Sequence, residues 1–321
     1  MTALEVLDLR VVGRGLLRPE DVVVRQDGQT FASDASSTVC EVLADDTLRP
    51  IGPVASEPNG LNFTPDGQAV VLAEFGTGQL IRCDLETGET GIICEEIEGR
   101  PITRPNYPIV MPDGTIYCTS STASDLAISL MCGVADGFVF RVLPDGTSEV
   151  LADEMFLPNG LAVDADRSHL YVVQTTAADV LRFPILADGR LGPKESYGPK
   201  LGDRTEWGED AAALVWGDNP VRDFTTADFS MRHKWAFPDG CAFDVEGNLW
   251  VAVLGRDTIV AITPERDVLE VVCEPAGVLL QPSNVSFGGP DMLDVYFGTV
   301  EHDYIVRGRS SVAGLEMPGQ R

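Results

Sequence analysis

Six polar residues recur in the sequence at one fixed distance from an acidic turn residue. In each pair, the acidic residue follows the polar residue by seven positions. The pairs are Glu20 and Asp27, Asn59 and Asp66, Asn106 and Asp113, Asn159 and Asp166, Asp239 and Glu246, and Asn284 and Asp291. Because Asp-Gly turns are common, one or two matches would mean little, whereas six in order indicate an internal repeat.

Carboxylate and amide oxygens at equivalent positions of a repeat can hold a metal ion. Burying such groups without partners is costly, and a cation would satisfy them. We predict that Glu20 and Asp239 offer carboxylate oxygens and that Asn106 and Asn159 offer amide oxygens. One divalent ion is expected, with Ca²⁺ as the first choice and Mg²⁺, Mn²⁺ or Zn²⁺ as alternatives, because hard cations prefer oxygen ligands. Each residue taken singly could instead begin a strand and hydrogen-bond to the backbone.

Such an ion can polarise a carbonyl or phosphoryl oxygen and lower the pKa of bound water. A carboxylate beside it can serve as general base or as nucleophile, and we assign Asp239 as the catalytic residue. The sequence has no GxSxG, P-loop or GxGxxG pattern. Serine hydrolases, NTPases and Rossmann enzymes therefore have no support.

Short apolar runs, rich in β-branched and aromatic residues, must position these groups. Gly, Pro and Asp interrupt the runs, which include residues 68–74, 115–120, 169–174 and 248–253, and long stripes of helical period are absent. This pattern predicts an all-β protein. Repeats of roughly 40–50 residues built from short strands indicate propeller blades. We therefore predict one domain, residues 1–321, folded as a six-bladed β-propeller with a metal site in its central channel.

In a propeller blade the first strand lines the channel, so the six polar residues would form a ring there. The second strand returns to the same face and brings further side chains near the ring. Predicted substrate contacts from these two positions are Asn59, Glu74, Gln174, Arg256, Asn284 and His302. For Arg256 the alternative is pairing with surface acids, and for His302 it is a solvated loop.

Two segments depart from the repeat. The stretch from about 4 to 12 reads as a strand, which we expect to complete the last blade and so remove open sheet edges. An excess segment of about 191–235 separates the fourth and fifth units. An insertion of this length is a lid, an oligomer contact or a decorated surface loop.

Composition limits the partners and the location. The net charge is −27, from 50 acidic and 23 basic residues. Such a field repels nucleic acid and anionic membranes, so a cation or small molecule is the expected partner. The seven cysteines form no CxxC pair, and neither a signal peptide nor a membrane span is visible. These features predict a reduced, cytoplasmic protein, with the oligomeric state left open.

Several segments resemble the SMP-30/gluconolactonase/luciferin-regenerating-enzyme family. They are residues 59–67 (NGLNFTPDG), 104–106 (RPN), 157–163 (LPNGLAV), 238–244 (PDGCAFD), 247–252 (GNLWVA) and 313–321 (AGLEMPGQR). The resemblance spans roughly 17–321. It implies a six-bladed propeller, Ca²⁺ or another divalent ion, and hydrolysis of lactones, often sugar lactones.

The resemblance also implies roles for individual residues. Glu20, Asn159 and Asp239 fall on the metal ligands, Asn106 lies on or near the metal, and Asp239 is the base. Arg104 falls on a substrate-contacting arginine. The pair Asn106-Tyr107 stands where the family frequently has Asn-Asp. Tyr107 thus takes the place of the aspartate, and we include it among the substrate contacts.

The sequence thus predicts a metal-dependent hydrolase that opens a lactone or related cyclic ester. One alternative keeps the metal site but uses it for organophosphate hydrolysis or for a lyase or isomerase step. Another is a binding propeller without enzymatic activity, in which the ion is structural.

Overall fold

The computed structural model describes residues 4–202 and 236–321, which are almost entirely β-strands and loops. Six sheets surround a central channel, which confirms the prediction of a six-bladed β-propeller. Of the excess segment at about 191–235, residues 203–235 lie outside the described residues. None of the described helices is long and apolar enough to cross a membrane.

The first three blades follow one another along the chain after an N-terminal strand, β1 (Glu5–Val12). Blade one contains β2 (Val22–Val24), β3 (Thr30–Asp34), β4 (Thr38–Val42) and β5 (Leu48–Ile51). Blade two contains β6 (Pro58–Phe63), β7 (Ala69–Glu74), β8 (Gln79–Asp84) and β9 (Thr90–Cys94). A small hairpin follows, formed by β10 (Glu96–Ile97) and β11 (Arg100–Pro101). Blade three contains β12 (Pro105–Val110), β13 (Ile116–Ser120), β14 (Gly137–Val142) and β15 (Ser148–Met155).

The remaining blades repeat this order. A short helix, α1 (Leu126–Cys132), lies between β13 and β14. Blade four contains β16 (Pro158–Val163), β17 (His169–Gln174), β18 (Asp179–Pro184) and β19 (Glu195–Ser196). Blade five contains β20 (Pro238–Phe243), β21 (Leu249–Val253), β22 (Thr258–Ile262) and β23 (Val268–Glu270). Blade six contains β24 (Val272–Cys273), β25 (Ser286–Gly288), β26 (Asp294–Phe297), β27 (Ile305–Ser310) and β1.

The acidic residue of each seven-residue pair lies in the turn that follows the inner strand. In five units its Oδ1 accepts a hydrogen bond of 2.9–3.2 Å from the backbone N–H two residues later, as in Asp27, Asp66, Asp113, Asp166 and Asp291. In the fifth unit Asp244 Oδ1 accepts from Glu246 N instead. These short-range bonds mimic a backbone turn. They explain why the spacing is constant.

Blade six is built from both ends of the described chain. β1 pairs antiparallel with β27, from Val6 opposite Ser310 to Val12 opposite Ile305. On its other side β1 pairs parallel with β24. The hydrogen bonds of one sheet thus close the circle of blades, and β27 has no open edge.

The apolar core lies between neighbouring blades. Phe31 of blade one meets Phe63 of blade two edge-on, with ring centroids 5.9 Å apart. Trp250 of blade five meets Phe287 of blade six in the same way at 5.3 Å. All six ring residues at or near the starts of the inner strands are buried as well.

The C-terminal segment, residues 312–321, closes the channel at the end where the inner strands finish. Gln320 Nε2 donates to the carbonyls of Val24 and Phe287, both at 2.8 Å. Leu315 N donates to Phe243 O at 2.8 Å. A cavity of about 50 Å³ remains between this segment and the channel wall. The opposite end, where the inner strands begin, is called the ring face below.

Candidate active site in the central channel

Four of the six ring residues follow a proline and lie inside a β-bulge. Asn59, Asn106, Asn159 and Asp239 each occupy the second position of their inner strand. The register of these strands shifts between Pro58 and Leu61, Pro105 and Pro108, Pro158 and Leu161, and Pro238 and Cys241. A bulge re-aims the side chains beside it, and proline is tolerated there because it has no N–H to offer the ladder. The prediction did not use this signal.

Glycines after three ring residues let the inner strands approach one another. A Cβ on Gly60 would lie 2.6 Å from Asn106 O, and one on Gly160 would lie 2.6 Å from Asp239 O. Real Cβ atoms do not approach backbone oxygens this closely. The Asn-Gly and Asp-Gly pairs of the sequence therefore mark contacts between blades and bring the ring side chains together.

Hydroxyl groups from neighbouring strands fix the backbone of the ring. Thr119 Oγ1 donates to Asn159 O at 2.8 Å, and Thr175 Oγ1 donates to Pro238 O at 2.9 Å. Ser283 Oγ donates to Glu20 O at 2.6 Å. Each bond joins a second strand or loop of one blade to the inner segment of the next, so the ring residues are held by two blades at once.

Glu20 and Asp239 are buried at the ring, and each is under one-tenth exposed. Burial raises the pKa of Asp239 well above its ordinary value, and the Glu20 carboxylate raises that pKa further. Burial likewise raises the pKa of Glu20. A hydrogen bond from Asn159 opposes the shift at Asp239. The structure thus brings together the two carboxylates and one of the two amides, Asn159, that the sequence predicted as ligands. Asn106 is buried at the start of its inner strand, and its role as a ligand stays a prediction.

Asp21 is a third buried carboxylate at the ring, and sequence reasoning missed it. Its Oδ2 accepts from Leu61 N at 2.7 Å, and its Oδ1 accepts from Val22 N at 2.7 Å and from Asn284 Nδ2. Burial raises the pKa of this group as well. Asp21 ties blades one, two and six together, while its charge adds to that of Glu20 and Asp239.

Arg18 is the second residue that the prediction missed. Its Nη1 donates to Pro58 O and to Asn59 Oδ1, both at 2.8 Å, and its Nη2 lies 2.7 Å from Glu20 Oε2. A signal for it existed in the sequence, because Arg18-Pro19-Glu20 repeats the spacing of Arg104-Pro105-Asn106.

The donor groups of the ring fit a hard divalent cation. Three carboxylates, Glu20, Asp21 and Asp239, share this buried region with the single charge of Arg18. Within the described chain, Asn284 Oδ1 is a buried atom that accepts no hydrogen bond. In residues 4–202 and 236–321, no group of three His, Cys, Asp or Glu side chains converges, so a metal centre here depends on amide oxygens as well.

Glu74 and Gln174 end the second strands, as predicted, but hydrogen bonds within their blades engage their side chains. Glu74 accepts from Glu57 N at 2.6 Å and from Thr77 N at 2.7 Å. Gln174 accepts from Phe156 N at 2.9 Å and donates to Asp179 at 2.8 Å. These bonds account for the burial of both residues, and contact with substrate stays a prediction.

Arg104 lies at the ring face against the loop that carries α1. Its Nη1 donates to Ser124 O at 2.8 Å and to Thr122 O at 3.3 Å. Its guanidinium carbon is 6.0 Å from the centroid of Phe75. The side chain is half-buried.

Tyr107 lies in the channel wall, against the cavity above the C-terminal segment. Burial raises the pKa of its phenol well above the usual value, the Asp21 charge raises it further, and a hydrogen bond to the Asn284 side chain opposes both. Tyr107, Asn284 and Asp21 form one polar layer next to the ring. A contact between Tyr107 and substrate remains a prediction.

Arg256 and His302 belong to loops of blades five and six. Arg256 ends a 3₁₀ turn, Leu254–Arg256, and a Cβ on Gly202 would lie 3.0 Å from its Nη2. His302 stacks on Tyr304, with centroids 4.9 Å apart and planes 11° from parallel. Its Nε2 is buried and has no hydrogen-bond partner among the described residues.

The chain matches the family model described as the SMP-30/gluconolactonase/LRE-like region over residues 48–301, more than half its length. The chain belongs to this family. A curated member, a gluconolactonase of Zymomonas mobilis, is 25% identical to this SMP-30/gluconolactonase-like protein over 258 residues, or 80% of this chain and 64% of the relative. The chain spans less than two thirds of that relative's length. Glu20 and Arg18 precede the matched region.

Solved structures show the same fold at low sequence identity. A gluconolactonase of Xanthomonas campestris has a TM-score of 0.68 at 19% identity, covering 94% of this chain and 90% of its own. Regucalcin of Agrobacterium tumefaciens, a calcium-binding protein, has a TM-score of 0.65 at 16% identity, covering 96% and 97%. These comparisons confirm the resemblance predicted from the sequence and the propeller fold of this SMP-30/gluconolactonase-like chain.

Proposed function

We propose that this protein is a divalent-metal-dependent lactonase that opens a sugar lactone or related cyclic ester. The observation that carries the proposal is the pair of buried carboxylates, Glu20 and Asp239, at the ring face of a propeller channel. Membership of a family that includes a gluconolactonase supports the substrate class.

Glu20, Asn106, Asn159 and Asp239 would hold the ion, with Ca²⁺ as the first choice. When bound, the ion would polarise the lactone carbonyl and favour ionisation of a nearby water. The calcium-binding regucalcin with the same fold supports this ion, and Mg²⁺, Mn²⁺ and Zn²⁺ are the other candidates. The two buried negative charges supply the physical reason for a cation.

Asp239 acts as the general base. Burial and the neighbouring Glu20 strengthen the affinity of Asp239 for a proton, as the raised pKa indicates. Asn159 orients it by hydrogen bonding. A water between Asp239 and the substrate carbonyl would lose a proton to the Asp239 carboxylate as its oxygen bonds to the carbonyl carbon. The ring C–O bond would then break, Asp239 would return the proton to the departing alkoxide oxygen, and the ring-opened hydroxy acid would leave through the mouth.

The mouth supplies the groups that would orient the substrate. Arg104 and Arg256 present guanidinium groups suited to sugar hydroxyls, and His302 presents an Nε2 that has no hydrogen-bond partner in residues 4–202 and 236–321. The partner is therefore a small molecule. The net charge of −27 supports the proposal that nucleic acid and membranes are not partners. The seven cysteines are all free, which supports the proposal that the protein works in the reducing cytoplasm.

The test is acid release from a panel of sugar and aliphatic lactones by chelator-treated protein, with single divalent ions added back. We expect one ion to restore turnover. Asp239→Asn should lower kcat by at least about 100-fold, because removing a general base costs roughly that much. The matched control is Asp66→Asn, which removes the same charge from an exposed turn at the far end of the channel.

Full activity of Asp239→Asn would overturn the mechanism. Tight binding of an ion without turnover of any lactone would overturn the substrate class and favour other chemistry on the same site.

A further inference from the structure

A guanidinium group occupies the ring beside the atoms that a divalent ion would use. Arg18 precedes the first inner strand and has a left-handed backbone, with φ of 58°. Its side chain reaches into the ring and is 24% exposed. Non-glycine residues adopt this backbone conformation at a cost, so the surrounding contacts must favour it.

Three oxygen atoms from two blades hold the guanidinium. Nη1 donates to Pro58 O and Asn59 Oδ1 at 2.8 Å each. Nη2 forms an ion pair with Glu20, 2.7 Å from Oε2, and this carboxylate is the one that the ion would also bind. The Glu20 contact is therefore the one of the three for which a bound ion would compete, whereas the other two anchor the side chain.

The charge of Arg18 acts on both predicted carboxylate ligands. Its field opposes the effect of burial on Glu20 and on Asp239. Without a metal ion, Arg18 compensates part of the negative charge at the ring. With a metal ion bound to Glu20, Arg18 becomes a like charge within a few ångströms of the ion, where repulsion at low dielectric is strong.

We propose that Arg18 is the built-in counter-cation of the ring: it stabilises the ion-free site and competes with the divalent ion for Glu20. The inference rests on the proposed function in one respect, that the ion binds at Glu20 and Asp239. Arg18 is thus a positioning residue that weakens ion affinity below what the oxygen ligands alone would give. It also holds Asn59 through Oδ1 and so keeps that oxygen off the ion.

The experiment measures Ca²⁺ and Mn²⁺ binding to chelator-treated protein by calorimetry, together with the melting temperature before and after ion addition. Arg18→Met removes the charge at similar length, and Arg18→Lys keeps the charge without the planar fork. The control is Arg14→Met, which removes an exposed arginine that pairs with Asp303 at 3.6 Å and stacks over Tyr304.

We expect Arg18→Met to bind the ion roughly tenfold or more tightly than the natural protein. Its ion-free form should melt at a lower temperature and gain more from added ion. Arg18→Lys should stay near the natural affinity, as should Arg14→Met. A purely structural Arg18 would instead lower the melting temperature equally with and without ion.

Unchanged or weaker ion binding by Arg18→Met overturns the proposal, and so does the absence of binding to every variant. Lactone turnover is scored separately. If Arg18→Met binds the ion more tightly but no lactone is turned over, the role of Arg18 is supported and the lactonase proposal is rejected. If lactones are turned over but Arg18→Met has unaltered ion affinity, the lactonase proposal is supported and the role of Arg18 is rejected.

Discussion

At the scale of single residues, the ring concentrates negative charge that water does not reach. Burial raises the pKa of Glu20, Asp21 and Asp239 above the ordinary value of about 4. A carboxyl group whose pKa is higher in the folded state loses its proton at a lower pH in the unfolded chain than in the folded protein. Its contribution to stability is therefore present at low pH and is lost as pH passes through the folded pKa.

This linkage predicts how ion binding and pH combine. Between about pH 5 and pH 8, the stabilisation by added Ca²⁺ should grow, because the ion replaces protons on these carboxylates. The measurement is the difference in melting temperature between ion-loaded and chelator-treated protein at several pH values. The pH-dependent contribution of the surface acids is the same in both forms of the protein and therefore cancels in this difference. In Glu20→Gln the rise should be smaller, and a difference that stays flat in the natural protein would contradict the ion site.

The seven-residue spacing predicted six ring residues, and the structure brings three of them, Glu20, Asn159 and Asp239, within interaction distance of one another. The same reasoning missed Arg18 and Asp21, because neither belongs to the repeated position. The same reasoning did not foresee that backbone N–H groups bind the side chains of Glu74 and Gln174. The donors at Glu57 and Phe156 lie 17 and 18 residues away along the chain, so only the fold brings them near. Contact of Glu74 and Gln174 with substrate stays a prediction.

At the scale of elements, the inner strands position the site through bulges and close contacts. A bulge after each proline re-aims the ring side chain, and glycine removes the Cβ that would hold the neighbouring strand away. In the Pro-Asn-Gly and Pro-Asp-Gly triplets, proline and glycine therefore shape the inner strand, and the residue between them is the predicted ligand.

Gly160→Ala tests this contact. The new Cβ would lie 2.6 Å from Asp239 O, so blades four and five must separate. We expect the free energy of unfolding to fall by about 1–3 kcal/mol, as for other overpacked sites, and activity to fall because Asp239 moves. Chemical denaturation measures the first effect and the lactone assay the second.

The control for this change is Gly91→Ala in β9. No atom lies within 4 Å of the added Cβ, and the backbone conformation suits any residue. Its stability should stay the same or rise slightly, since alanine loses less chain entropy on folding. Equal stability of the two variants would show that the inner strands tolerate more separation than the geometry indicates.

At the scale of the whole molecule, two terminal segments join blades that are far apart in sequence. β1 completes blade six by pairing with β27, almost 300 residues later along the chain. The C-terminal segment contacts blades one, five and six through Gln320 and Leu315. Closure of the circle is therefore a property of the complete fold and not of any one blade.

Gln320→Ala tests the contribution of the C-terminal segment. The change leaves the Val24 and Phe287 carbonyls without their donor in a buried setting. We expect a loss of about 1–3 kcal/mol in the free energy of unfolding, measured by denaturant titration. Gln79→Ala, which removes an exposed side-chain bond to Glu95, should lose much less. Similar losses would indicate that the segment does not bind the blades together.

The sequence by itself determined the all-β class, the six repeats and the residues at the equivalent position of each. These follow from local rules, because a turn closed by an Asp oxygen two residues away sets the spacing without help from distant residues. Only the tertiary structure decided which polar groups share the channel, since that depends on strands from different blades. Arg18 hydrogen-bonds to Asn59, and Asp21 to Asn284, although the partners lie 41 and 263 residues apart in the sequence. No local sequence pattern predicts such contacts.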